Sequence, residues 1–303
     1  MKFVLIIFFS IPQLLFGQFI IKGKIVDARN NKVIPYANIW IKNANIGTTS
    51  SEKGIFSLTI NKSTNSKSII ISSIGFYDTI IQIKDLKPVI KLSPKDYEIP
   101  KIVVSPRKKE ELILNDLSKE KINGGIMNDT TPQIIGRYFP YKLKNSSFRH
   151  IKSVIIYSRD SQKGIVNIRI YSFDTSKAAP INELVHSNII FETKISLFGK
   201  AKPMEIDLSD YNLIFPKSGV LIGIEWLIIP RNRYKVTTNY TDTKTKKTRI
   251  MYAPNLGATI NKKNNMYLYK EGRWIKPQKG HKLPGYKYSG LYFIPAISLK
   301  LSD

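Results

Sequence analysis

Gly47-Thr-Thr-Ser-Ser-Glu-Lys-Gly-Ile-Phe-Ser-Leu58 is the stretch that decides how the first part of this 303-residue chain folds. Gly54, lacking a Cβ, supplies the positive φ that a tight hairpin connection demands. Past it, Phe56, Leu58 and Ile60 fall on one face of an extended strand while Ser57 and Thr59 fall on the other, which is half of a buried sheet. Upstream, Gly23–Asp27 and Ile34–Ile39 supply two more strands around a polar turn at Ala28–Lys32. The same alternation predicts strands at Phe19–Asp27, Pro35–Lys42, Gly47–Ser50, Ile55–Ile60, Ser68–Ile74, Phe76–Ile83 and Val89–Leu92, with Asn61–Lys67 a polar loop and Gly75 a break. No stretch before Leu92 keeps a helical period, so these short strands predict a small sandwich.

Gly23-Lys-Ile-Val-Asp27, Ile34-Pro-Tyr-Ala-Asn-Ile39, Gly47-Thr48 through Gly54-Ile-Phe-Ser-Leu58 and Ile71-Ser-Ser-Ile-Gly-Phe76, in that order, resemble the carboxypeptidase regulatory-like domain. The resemblance covers Phe19–Leu92 and implies a prealbumin-like β-sandwich, a module common in secreted and outer-membrane proteins of Gram-negative bacteria and at the N-termini of TonB-dependent receptors. It implies no catalytic residue, since the family is named for a module that accompanies a peptidase. Ser51 stands where the family often has Asp or Asn, a departure confined to the turn.

Lys2 followed by the apolar run Phe3–Leu15, interrupted by Ser10, Pro12 and Gln13, and then by Phe16-Gly17, has the form of a secretory signal peptide over 1–17. Its apolar core is short for a membrane span, and no later stretch is longer. A receptor-sized barrel of about 22 strands needs far more chain than this. The absence of cysteine excludes disulfides, thiolate ligands, cysteine nucleophiles and a lipid-bearing cysteine. There are 48 Lys and Arg against 22 Asp and Glu, a net +26, or +25 once Lys2 is removed. Such an excess suits either an anionic partner or a merely solvated surface and says nothing of fold. With export expected to the periplasm, the outer membrane or beyond, nucleic acid is not the natural partner.

Pro94, Pro100 and Pro106, the run Arg107–Glu111 and Gly124-Gly125 mark residues 93–133 as a linker. Within it Ile102–Val104 has the form of a short strand that resembles the segment following this domain in receptors, and Glu110–Ile122, with Ile113 and Leu117 four apart, predicts a short helix. Over 134–303 strands are expected at Ile151–Ser158, Ile165–Phe173, Asn188–Glu192, Met204–Leu208, Gly219–Ile229, Tyr234–Tyr240, Arg249–Tyr252, Asn265–Lys270 and Leu291–Leu301. The nearly continuous apolar run Gly219–Ile229 reads as a central strand buried on both faces. The expected fold is therefore all-β, with a prealbumin-like sandwich over 18–92 followed by a larger jelly-roll-like sandwich over 134–303.

Enzymatic signatures are lacking. His150, His186 and His281 have no Glu three residues on and no second His at zinc spacing, and neither Gly-x-Ser-x-Gly nor a Gly-rich phosphate loop occurs. No catalytic metal or cofactor is expected. Asp207 and Asp210 fit no calcium loop and read as turn residues. Glu225, set among Val, Leu, Ile and Trp, needs a partner, for which Arg169 is suited, or a bulge turning it to solvent, and it lacks the second carboxylate of a hydrolase.

The last quarter offers a binding surface instead. Arg231–Ser289 holds fifteen Lys and Arg against Asp242 and Glu271, a net +13, interleaved with Tyr and Trp. Arg231, Arg233, Lys244, Lys246, Lys247, Arg249, Trp274 and Lys276 are the candidate anion- or glycan-binding residues, brought to one side of paired strands by alternation. The sequence thus suggests an exported, non-enzymatic binding protein for anionic envelope glycan or an outer-membrane protein. The alternatives are a glycan or peptide hydrolase with a scattered site, and an envelope scaffold. Export predicts cleavage after Gly17, so that mass spectrometry of the protein from its native host is expected to find Gln18 at the N-terminus rather than Met1.

Overall fold

The computed structural model describes residues 18–61, 68–96, 110–122, 124–159, 163–195, 200–240, 245–277 and 290–303. The leader, Ile102–Val104, Lys244 and His281 lie outside them. The N-terminal module contains β1 (Gln18–Asp27), β2 (Asn38–Ile41), β3 (Ile46–Thr49), β4 (Ile55–Asn61), β5 (Ser68–Ser72), β6 (Thr79–Gln82) and β7 (Val89–Leu92). These are the seven expected strands, arranged as a three-stranded sheet β4-β1-β7 on a four-stranded sheet β3-β2-β5-β6, with β7 parallel to β1.

On β4 the alternation holds: Phe56, Leu58 and Ile60 are buried with Ile25, Ile39, Ile71 and Leu92, and the residues between them are exposed. The Gly54 turn has the expected positive φ of 69° but a different job. Because β3 pairs with β2 and β4 with β1, the turn carries the chain from one sheet to the other rather than closing a hairpin. A Cβ at Gly54 would stand 2.8 Å from the Ile25 carbonyl oxygen and 3.2 Å from that of Ile34, so glycine is what lets the crossover lie this close to the sheet.

Among the described residues fifteen further strands follow: β8 (Glu111–Leu114), β9 (Gly124–Asn128), β10 (Gln133–Phe139), β11 (His150–Ser158), β12 (Ile165–Asp174), β13 (Ala179–Glu183), β14 (Ile189–Glu192), β15 (Lys202–Asp207), β16 (Val220–Trp226), β17 (Arg233–Tyr240), β18 (Thr245–Asn261), β19 (Met266–Lys270), β20 (Arg273–Ile275), β21 (Tyr292–Pro295) and β22 (Ile297–Ser302). They build a second sandwich. One sheet runs β13-β12-β16-β10-β19-β20 with β14 beside β12, and the other runs β17-β18-β11-β22-β8 with β15, β9 and β21 attached. Val220, Ile222, Ile224 and Trp226 of β16, with Val166, Ile168 and Ile170 of β12, share a core with Val154, Ile156, Ile297, Leu299 and Leu301 from the other sheet. Every helical element described is a three-residue 3-10 turn.

The helix expected over Glu110–Ile122 is therefore replaced. Glu111–Leu114 is extended and pairs antiparallel with β22, and only Lys119–Lys121 forms a turn. As a strand the segment covers the edge of β22, while Leu114 packs on the main core and Leu117 on Tyr157 and Ala296. Gly124-Gly125, read as a stop, begins β9 on β18, where a Cβ on Gly125 would stand 2.3 Å from Asn255 Oδ1. The described part of the presumed linker thus belongs to the larger sandwich.

Arg137 ties these pieces together. Buried on β10, it donates to the Pro295 carbonyl at 3.3 Å and to Asn115 Oδ1 at 3.0 Å, and Asn115 Nδ2 in turn donates to the Ile297 carbonyl at 2.7 Å. Burial draws the guanidinium down to about 10. Asn115→Ala leaves part of this buried cation unmatched and is expected to cost about 1–3 kcal/mol in urea unfolding. A chain begun at Gln133, lacking the N-terminal module as well as β8, β9 and Asn115, is expected to lose cooperative unfolding altogether.

Candidate functional site

The central strand β16 is buried on both faces, as its sequence implies, but by two different bodies. Its even-numbered residues enter the sandwich core, while Glu225 on the opposite face meets the N-terminal module. Glu225 is 1% exposed. It accepts hydrogen bonds from Asn38 Nδ2 of β2 at 2.5 Å, Asn167 Nδ2 at 2.7 Å and Arg169 Nη1 at 3.2 Å. Arg169 is its partner, as expected, and also pairs with Glu183 and donates through Nε to the Tyr171 hydroxyl at 3.2 Å. Burial alone would lower the Arg169 guanidinium, but the carboxylates of Glu225 and Glu183 and the hydrogen bond to the Tyr171 hydroxyl outweigh it and hold it well above the ordinary arginine value. Burial likewise pushes the phenols of Tyr171 and Tyr269 up, keeping both neutral.

Around this charge cluster the two modules are fastened by further contacts. The Gly75 amide donates to Glu183 at 3.1 Å, Trp40 Nε1 to the Pro132 carbonyl at 2.9 Å and the Ile228 amide to Thr49 Oγ1 at 2.9 Å. Tyr269 donates to Asp78 at 2.8 Å and meets Trp40 edge-on at 6.1 Å between ring centroids. Asn167 and Glu183 stand in no sequence motif, and Asn38 enters the sequence reading only as part of the Ile34–Ile39 stretch. The one available signal was Asn38 and Asn167 standing inside apolar strands, where a side-chain amide needs a partner.

Two carboxylates on one cation suggest a hydrolase only if a substrate reaches them. Here Glu225, Arg169 and Asn167 are buried beneath the N-terminal module, which Glu225 ties to the larger sandwich through Asn38. Among the described residues no group of three or more His, Cys, Asp or Glu is placed to hold a metal. Asp207 accepts the Ser209 amide at 2.9 Å, and Asp210 lies in the 3-10 turn Ser209–Tyr211, so both are turn residues.

The basic candidates divide into groups. Arg233, Lys246, Lys247 and Arg249 lie on the β17–β18 hairpin, whose register pairs Arg233 with Tyr252, Lys235 with Ile250, Val236 with Arg249, Thr238 with Lys247 and Asn239 with Lys246. Opposed residues share a face, so Arg233, Lys235 and Lys246 stand on one side and Lys247 and Arg249 on the other. The expectation of a single cationic side is thus corrected to a ribbon that is basic on both faces. All five are exposed, and no acidic residue lies in 233–240 or 245–252. Among the described residues Arg233, Lys235, Lys246 and Lys247 form no ion pair. Lys235, on the same face as Arg233, belongs with them.

Arg231 lies at the ribbon's foot, paired with Glu192 at 2.8 Å. Next to it Asn232 is fully buried and roots the ribbon, accepting from the Ile165 amide at 2.8 Å and donating to the Ile165 and Leu227 carbonyls at 2.7 and 2.9 Å. Trp274 and Lys276 belong elsewhere, at and just beyond β20 on the opposite sheet. Trp274 packs edge-on against Tyr171 at 5.0 Å in the intermodule seam, and Lys276 Nζ stands 5.5 Å over the Tyr267 ring. Beside them an open recess of about 470 Å³ is lined by Asn43, Asn45, Lys270, Glu271, Arg273 and Ile275. Its polar walls pair with each other, Glu271 with the Asn43 amide at 3.2 Å and Lys270 with Asn45.

The fold and these contacts define a two-module β protein whose smaller N-terminal sandwich is clamped to a larger one. Residues 21–104 match the family model of the CarboxypepD_reg-like domain, so the N-terminal module is a carboxypeptidase regulatory-like domain. No curated protein matches the chain.

The clamp is open to direct test. Arg169→Met strands Glu183 and Glu225 without their cation and is expected to destabilise the protein by about 3–5 kcal/mol in urea. Amide exchange of β2 and β16 is expected to speed up together in that variant.

Proposed function

We propose that this is a non-enzymatic binding protein of the cell envelope that holds an anionic partner on the β17–β18 ribbon. The observation that carries the reading is the ribbon itself: paired strands with exposed Arg233, Lys235, Lys246, Lys247 and Arg249, cations on both faces, and no acid in either described strand. An isolated two-stranded ribbon is marginal in water, and packing such cations into it adds mutual repulsion. An anionic partner relieves that repulsion. The leader-like N-terminus and the regulatory-like module support placement in the envelope, and the enclosure of the Glu183, Arg169 and Glu225 cluster supports binding over hydrolysis.

A scaffold role has one observation in its favour. On the outer face of the three-stranded sheet, exposed Ile55 and Val89 flank Lys24, with exposed Ile20 on the same strand. That face is small and broken by lysine, and the ribbon remains the better-supported surface.

Dextran sulfate, titrated at rising salt, tests the reading as a simple polyanion. Changing Lys246, Lys247 and Arg249 to Ser is expected to weaken binding about tenfold and flatten its salt dependence. Changing the exposed Lys22, Lys24 and Lys91 of the N-terminal module to Ser is expected to leave it nearly unchanged. Equal losses from both sets would reduce the effect to bulk charge.

A further inference from the structure

The outer edge of β17 narrows the kind of partner, in an inference that rests on the ribbon being an anion-binding arm. We propose that an extended acidic polypeptide segment adds to β17 as a further strand, with acidic and apolar side chains alternating along it.

β17 is the terminal strand of its sheet, and among the described residues its ladder is made with β18 alone. In such a pair, alternate backbone N–H and C=O groups of β17 point away from β18. A polysaccharide meets the cations but offers no matching ladder, whereas an extended polypeptide meets both.

The register then dictates the side chains. An added strand lies about 4.8 Å from β17 and presents successive residues to opposite faces. On one face its side chains stand beside exposed Arg233 and Lys235, two residues apart and so about 6.8 Å from each other, which calls for Glu or Asp at alternate positions. On the other they stand beside half-buried Tyr234 and Val236, which calls for Val, Ile or an aromatic between the acids. A second copy of this chain is a poor occupant, since edge-to-edge pairing sets Arg233 and Lys235 against their own likenesses.

A capped decapeptide of alternating Glu and Val, titrated by fluorescence anisotropy onto the full chain at about 0.15 M salt, tests this. In an extended strand the Glu amides all point to one side and the Val amides to the other, so only one set faces β17. The expected result is binding that falls about tenfold or more when one set is N-methylated and holds when the other is, because methylation removes ladder hydrogen bonds without touching charge. Arg233→Ser with Lys235→Ser is expected to weaken the peptide more than Lys247→Ser with Arg249→Ser. Equal effects of the two methylated sets would overturn strand addition while leaving the anion-binding arm intact. So would binding of dextran sulfate without binding of the peptide, which would point to a polysaccharide. Binding of neither would remove both readings.

Discussion

The contact between Arg169 and Glu225 is the constraint on which the arrangement of this molecule depends. A carboxylate in the middle of a strand flanked by Ile224 and Trp226 is tolerable only if charge and hydrogen bonds surround it completely. The larger sandwich supplies Arg169 and Asn167, but the last donor, Asn38, comes from the other module. The smaller sandwich is therefore part of what makes the central strand of the larger one viable. The regulatory-like module is here a structural component.

That dependence explains which parts of the fold were legible in the sequence. Phe56, Leu58 and Ile60 alternate with polar residues because one face of β4 is wet, so the strand could be read directly. Gly219–Ile229 could be read as doubly buried, but not what buries its second face, because Glu225 answers in part to Asn38, 187 positions away in the chain. Gly54 revealed a tight turn, but whether such a turn joins neighbours or crosses between sheets is decided by pairing partners beyond the local pattern. Glu110–Ile122 misled for a related reason: Ile113 and Leu117 have helical spacing, yet the edge of β22 offers backbone hydrogen bonds that the isolated segment does not anticipate.

The basic surface was legible in composition and not in geometry. Alternation was the right rule for β17 and β18, but it sends Lys246 and Lys247 to opposite faces merely because they are adjacent. Trp274 was grouped with the cations as an exposed ring, whereas its neighbours Tyr171 and Tyr269 draw it into the seam. Aromatic residues near cations carry no sign in sequence of whether the ring faces solvent or another ring.

The rooting of the ribbon by Asn232 has a mechanical consequence. Its amide joins the foot of β17 to Ile165, at the start of β12, and to Leu227, directly after β16. A pull on the ribbon thus reaches, through Asn232, the ends of the two paired strands that carry Asn167, Arg169 and Glu225. The load ends at the charge cluster shared with the smaller sandwich, so the joint between the modules lies in the line of tension rather than beside it.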